Sequence, residues 1–206
     1  MRFIDIHTHN SQPAGNAIYD SGTMHTPGRI ISTGLHPWHV NDNWESVLAS
    51  VAECATAANT AAIGECGLDV LRGTAPLEIQ EKAFTAQALL AEKVGKPLII
   101  HCVKAYDRLI ALHNRIKPQQ EWILHGFRGK PELALQLIKS GLCISVGEKF
   151  NPDSTRAIPV ERLFIESDES LSPIENIYAA IAAAKDMSVE QLAAQIEINA
   201  RIFRQF

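Results

Sequence analysis

Short apolar runs alternate with amphipathic stretches along this chain of 206 residues, and that alternation limits the fold more than any other feature. The runs over 97–100, 122–124, 142–146 and 163–165 are rich in Ile, Leu and Val, as strands buried on both faces are. The stretches 44–58, 76–94, 106–116 and 131–140 repeat apolar residues at helical spacing, and Gly95 and Gly141 stop two of them. A short helix over 154–158 and closing helices over 174–185 and 189–203 continue the pattern, with Ser188 as the last N-cap. Strands over 2–6, 29–33 and 61–63 bring the clear total to seven. Residues 10–27 are rich in Ser, Gly, Pro and Asn, leaving room for one short strand around 17–19 but not for a full helix as well. Strands joined by helices argue a parallel sheet covered by helices, in one domain over 1–206.

Composition excludes several classes. With 46% hydrophobic and 20% charged residues the chain reads as soluble and globular rather than disordered. A net charge of -4 gives no general pull toward nucleic acid or anionic membrane, though it leaves room for a local basic rim. No run of about 18 apolar residues is present, so no membrane partner is expected; the alanine-rich stretch 177–184 is too short. The N-terminus opens directly on strand-like sequence without a signal-peptide layout. Cys54, Cys66, Cys102 and Cys143 show no Cys-x-x-Cys spacing, so reduced thiols and a cytoplasmic location are expected. No glycine-rich nucleotide loop opens a helix, and no Gly-x-Ser-x-Gly elbow presents a serine nucleophile. No protein partner can be inferred.

The polar residues fall at one kind of position. His7, His9, Glu65, His101, His125 and Asp168 each stand at or just past the C-terminal end of an expected strand. Taken singly, each has an ordinary explanation: a histidine capping its strand or bonded to a loop carbonyl, an acid opening or capping a helix. Six such groups on one edge converge if the sheet curls into a barrel, whose C-terminal strand ends are where active sites are built. The expected fold is therefore α/β, a distorted TIM-like (β/α) barrel of seven strands with one βα unit reduced or missing. Imidazoles with carboxylates and no paired thiolates suit a hydrolytic rather than a structural metal site. Six ligands exceed what one ion needs, so two divalent ions sharing a bridging carboxylate are expected, with Zn, Mg, Mn and Ni all compatible. Cys66 and Cys102 follow two of these residues, but neighbours on a strand face opposite ways, which favours buried thiols over ligands.

Six segments carry a resemblance to a known family. They are Ile4-Asp5-Ile6-His7-Thr8-His9, Gly34-Leu35-His36-Pro37, Ala62-Ile63-Gly64-Glu65-Cys66-Gly67-Leu68-Asp69, Pro97-Leu98-Ile99-Ile100-His101, His125-Gly126-Phe127-Arg128-Gly129 and Ile165-Glu166-Ser167-Asp168. In this order they resemble the TatD-like metal-dependent deoxyribonucleases of the amidohydrolase superfamily, and Asn199-Ala200-Arg201-Ile202-Phe203 is similar to that family's closing motif. The resemblance implies that His7, His9 and Asp168 hold one ion, that Glu65 bridges, and that His101 and His125 hold the second. It implies that Asp168 and Glu65 are catalytic, with Asp168 the general base for a metal-activated water. The implied substrate is DNA or a small phosphodiester. Relatives generally carry a full βα unit where residues 10–27 stand, a Ser where Arg128 stands, and Ser-Pro in place of Glu169-Ser170.

Lys104 and Arg128 lie within three residues of proposed ligands and are candidate phosphate binders, with Lys130, Arg72 and Lys149 behind them. His36 and Trp38 are expected to line the mouth of the barrel, Trp38 stacking on a base. Two other readings stay open: hydrolysis of a small ester, lactone or amide by the same centre, or a metal-binding relative without catalysis.

Overall fold

The computed structural model describes residues 1–11 and 16–206; the part of the expected loop at 12–15 lies outside the described residues. In chain order the strands and helices begin with β1 (Ile4–Thr8), β2 (Asn16–Asp20), β3 (Ile31–Thr33), α1 (Trp44–Ala55), β4 (Thr60–Asp69) and α2 (Leu77–Val94). There follow β5 (Leu98–Val103), α3 (Tyr106–Ile116), β6 (Trp122–Leu124), α4 (Pro131–Lys139) and β7 (Cys143–Val146). The chain closes with α5 (Pro152–Ala157), β8 (Leu163–Ile165), α6 (Ile174–Ala184) and α7 (Val189–Asn199). One eight-stranded sheet runs in the order β1 to β8, and a parallel bridge joins Thr8 of β1 to Asp168 beyond β8. This is the connectivity of a (β/α) barrel, as expected.

The expected count of seven strands is corrected to eight. Ala17 and Ile18 are buried, and β2 pairs in parallel with β1 through Ile4 with Asn16 and Asp5 with Ala17. What the chain lacks is the helix of that unit: among the described residues none stands between β1 and β3. A second correction concerns β4. The expected strand ended before Glu65, but β4 continues to Asp69 with all ten residues buried, so Glu65 stands within it. Gly64 and Gly67 permit this. A Cβ on Gly64 would run into the Ile99 carbonyl and one on Gly67 into the His101 carbonyl. Both also take φ near +147°, open essentially to glycine alone. The last expected helix stops at Asn199 and continues as a 3-10 turn over Ala200–Phe203.

By contacts the chain forms two compact units, one of Met1–Tyr19 with Leu124–Phe206 and one of Asp20–Ile123. In the first, β7 and β8 pair in parallel through Ile144 with Leu163, Ser145 with Phe164 and Val146 with Ile165. The fully buried Tyr178 of α6 clamps β1: its hydroxyl donates to the Ile4 carbonyl (2.8 Å) and accepts from the Ile4 N–H (3.1 Å). In the second, Trp122 packs edge-on against Phe84 and His113, with centroids 5.0 Å away in each case. Gln87 of α2 accepts from the Leu35 N–H (2.7 Å) and donates to its carbonyl (3.1 Å). It thereby pairs the backbone at Leu35, next to His36. The segment before β3 is fastened by Asn59, which donates to the carbonyls of Thr26 (3.0 Å) and Arg29 (2.8 Å).

Candidate functional site

In the first unit, strand alternation aims His7 and His9 the same way from the end of β1. His7 is fully buried; His9 is exposed. His125 follows β6 directly, and its ring lies 4.5 Å from that of His7. Asp168 reaches the same place because the backbone beyond β8 is stitched to β1. The Asp168 N–H donates to the His7 carbonyl (2.9 Å), and the His9 N–H to the Asp168 carbonyl (3.0 Å). Those bonds hold Asp168 at φ 54°, a left-handed conformation that an aspartate adopts at some cost. Its Oδ1 lies 3.9 Å from His7 Nε2 and 3.7 Å from His9 Nε2. One donor atom each of His7, His125 and Asp168 lie within 4.8 Å of one another.

Two further acids support this group. The fully buried Glu166 accepts the Gly126 N–H (2.6 Å) and stands 3.4 Å from His125 Nδ1. Burial pushes the Glu166 carboxyl up, but the neighbouring His125 and His7 rings and the Ser145 hydroxyl outweigh it and leave it below the usual range. Asp5 accepts the Ser167 hydroxyl (2.6 Å) and the Ser167 N–H (3.0 Å), fixing the residue next to Asp168. Burial pushes the Asp5 carboxyl up to about 6. Beside these groups opens a pocket of about 240 Å³, lined among others by Arg128, Lys149, Glu166, Asp168 and Leu171.

In the second unit the centre is Glu65. Its Oε1 lies 2.9 Å from His36 Nε2 and 2.8 Å from His101 Nδ1, and one donor atom of each of the three falls within 4.8 Å of the others. The Glu65 N–H donates to Asp20 Oδ1 (3.2 Å). The other nitrogen of His101, Nε2, lies 2.9 Å from Asp69 Oδ2. Burial raises the Asp69 carboxyl, yet hydrogen bonds from the Trp38 indole, the Arg72 N–H, His101 and the Leu71 N–H outweigh that and hold it below its usual value. Lys104 is exposed one residue past β5, at φ 58°.

The donors suit a divalent ion: each cluster combines imidazole nitrogen with carboxylate oxygen. The adjacent thiols do not compete. Cys66 and Cys102 are buried, burial pushes both thiols up, and among the described residues no cysteine joins either group of donors.

The structure thus groups His125 with His7 and Asp168, and His101 with Glu65. His36, expected at the mouth, lies against Glu65. Arg128 lines the pocket beside Asp168. Sequence reasoning missed Asp5, Asp20, Asp69 and Glu166. Three of them carried a signal: Asp5, Glu166 and Asp69 lie two or four residues from His7, Asp168 and Glu65, the spacing that shares a strand face. Asp20 carried none.

The model of the TatD-related DNase family matches residues 6–204. The 3'-5' ssDNA/RNA exonuclease TatD of Klebsiella pneumoniae is 31% identical over 208 residues, covering 86% of this chain and 77% of its own. Among solved structures, the TatD homologue YjjV of Escherichia coli K12 superposes with a TM-score of 0.85 at 20% identity, covering 98% of this chain and 97% of its own. A TatD-family hydrolase of Entamoeba histolytica gives a TM-score of 0.72 at 18% identity, covering 91% of this chain and 74% of its own.

Proposed function

The chain belongs to the TatD-related DNase family, and on that premise we propose that it is a divalent-metal-dependent nuclease. It hydrolyses phosphodiester bonds of single-stranded DNA or RNA from the 3′ end, the activity for which the Klebsiella pneumoniae relative is named. The observation that carries this reading is the pair of imidazole–carboxylate clusters, one in each unit, on the family's own motifs. His7, His9, His125 and Asp168 supply donors in one unit, and Glu65 and His101 supply them in the other, for two divalent ions. Such ions supply Lewis acidity and an acidified water at neutral pH.

The chain's own groups do the rest. Asp168, part exposed and held at the pocket edge, accepts the proton of the attacking water. Arg128 and Lys149 line the same pocket and bind the non-bridging phosphate oxygens. Glu166 fixes the His125 ring from its Nδ1 side, and Asp5 fixes Ser167. Lys104 adds positive charge beyond β5. The four cysteines stand outside any disulfide, which supports a reducing, cytoplasmic setting; among the described residues no helix is long and apolar enough to cross a membrane.

The test is a side-by-side assay with Mg, Mn, Zn or Ni on a 5′-labelled single-stranded oligonucleotide, small phosphodiesters, carboxyl esters and lactones. A ladder shortening from the 3′ end is expected. Hydrolysis confined to esters or lactones, or no hydrolysis with any ion, rejects the reading.

A further inference from the structure

Residues 36–40 and 69–75, both in the unit Asp20–Ile123, are bound to one another by more than backbone proximity. We propose that Asp69 is a positioning residue that ties a nucleobase-stacking platform, Trp38 with Arg72, to the metal-ligating imidazole of His101. The inference rests on the nuclease reading above and names the part of that site which holds a base.

Asp69 is 1% exposed, and both of its carboxylate oxygens are committed. Oδ1 accepts the backbone N–H groups of Leu71 (2.8 Å) and Arg72 (2.9 Å), which shapes the turn after β4. Oδ2 accepts the Trp38 indole N–H (2.7 Å) and lies 2.9 Å from His101 Nε2. One oxygen therefore orients the indole and the imidazole together. With Nε2 held on Asp69, the His101 ring presents Nδ1 to Glu65, 2.8 Å away. A carboxylate on the far nitrogen is what fixes tautomer and ring orientation in metal-ligating histidines.

The backbone of Asp69 is itself fixed. The buried Gln80 accepts its N–H (2.8 Å) and donates to its carbonyl (3.1 Å), and Gly73 leaves no space for a Cβ between them. Thr74 lies within hydrogen-bonding distance of the carbonyls of Trp38 (3.2 Å) and Val40 (3.0 Å), closing the two segments together. On this frame the Arg72 guanidinium lies over the Trp38 ring, 4.9 Å from its centroid. Val70 and Leu71 beside it are 51% and 68% exposed. A guanidinium backed by an indole, with apolar neighbours, is a surface on which an unpaired base stacks, while the charge attracts the adjacent phosphate.

The test uses Mn2+ binding followed by electron paramagnetic resonance, and binding of a fluorescein-labelled phosphorothioate hexathymidylate in EDTA. Trp38→Ala and Arg72→Ala are expected to weaken oligonucleotide binding about tenfold and leave Mn2+ binding unchanged. Asp69→Asn retains an acceptor for the turn but loses the acceptor for the two rings, so it is expected to weaken both, Mn2+ by about tenfold. An abasic oligonucleotide is expected to bind wild type and Trp38→Ala alike. Full Mn2+ affinity in Asp69→Asn, or full oligonucleotide affinity in Trp38→Ala, overturns the proposal. A second measurement needs no Asp69 variant. On adding Zn2+ to the wild-type protein, the Trp38 indole N–H resonance, assigned with Trp38→Phe, is expected to shift while those of Trp44 and Trp122 stay; an unmoved Trp38 signal also overturns it. None of these readouts needs cleavage. A wild type that binds Mn2+ and DNA but cuts nothing rejects the nuclease reading alone.

Discussion

Asp168 owes its place to backbone bonds to His7 and His9 rather than to its own helix or strand. Asp168→Asn keeps those bonds and removes the carboxylate that serves as base and as ion donor. We expect kcat on single-stranded DNA to fall by about 10²- to 10⁴-fold, with an unchanged circular dichroism spectrum; near-normal kcat would remove Asp168 from the role of base. A second residue sets an acid limit on stability. Burial holds the His113 imidazole below its ordinary value, partly offset by Glu121. The unfolded chain then binds the proton more readily than the folded one. The contribution is complete above the ordinary histidine range near 6.5 and is lost as pH falls through it toward the lower folded value. The melting temperature should therefore drop between pH 7 and 5, and His113→Gln should flatten that drop. An identical slope in the variant would show that other groups control the acid limb.

At the scale of elements, two lysines do the same work on two helix ends. Lys96 donates to the carbonyls of Ala55 (2.6 Å) and Ala57 (3.1 Å) at the end of α1. Lys185 donates to those of Thr155 (2.9 Å) and Ile158 (2.6 Å) at the end of α5. The last carbonyls of a helix lack intrahelical partners and carry partial negative charge, so an ammonium there both bonds and neutralises. Lys185→Met should lower the unfolding free energy by about 1–3 kcal/mol, read by urea denaturation with an unchanged slope. A loss below ~0.3 kcal/mol would place the bonds in solvent-equivalent surroundings. The elements also show where sequence reading succeeds. Helix α2 was expected over 76–94 and runs over Leu77–Val94, because its periodicity is long and Gly95 takes the left-handed cap. β6 and β8 were expected over the residues they occupy. The reading of 61–63 as a complete strand failed at Gly64, where glycine normally signals an end. Here glycines at 64 and 67 instead let β4 lie close against β5 and continue to a length of ten residues.

For the whole molecule, ligand binding to the native state alone must raise stability by mass action. Adding Mn2+ or Zn2+ at a hundredfold its dissociation constant should stabilise the EDTA-treated protein by about 2.7 kcal/mol per site, seen as a higher melting temperature, and His7→Ala should reduce the gain. A melting temperature indifferent to every divalent ion would contradict the assignment of these side chains as ligands. The identity of those side chains was open to a reader of the sequence, since six metal-competent residues sat on the motifs of one family in the right order. Local alternation of apolar strands and amphipathic helices determined the fold class, because burial of one face or both leaves its period in the residues themselves. What the sequence could not determine was company. That His125 stands with His7, that His36 lies against Glu65, and that Asp69 holds Trp38 and His101 on one oxygen are contacts between residues 29 to 118 positions apart. The count of eight strands likewise depended on whether three half-apolar residues near Ile18 found a partner in β1. Such pairings are fixed by how strands register and pack across the sheet, and no local pattern encodes them.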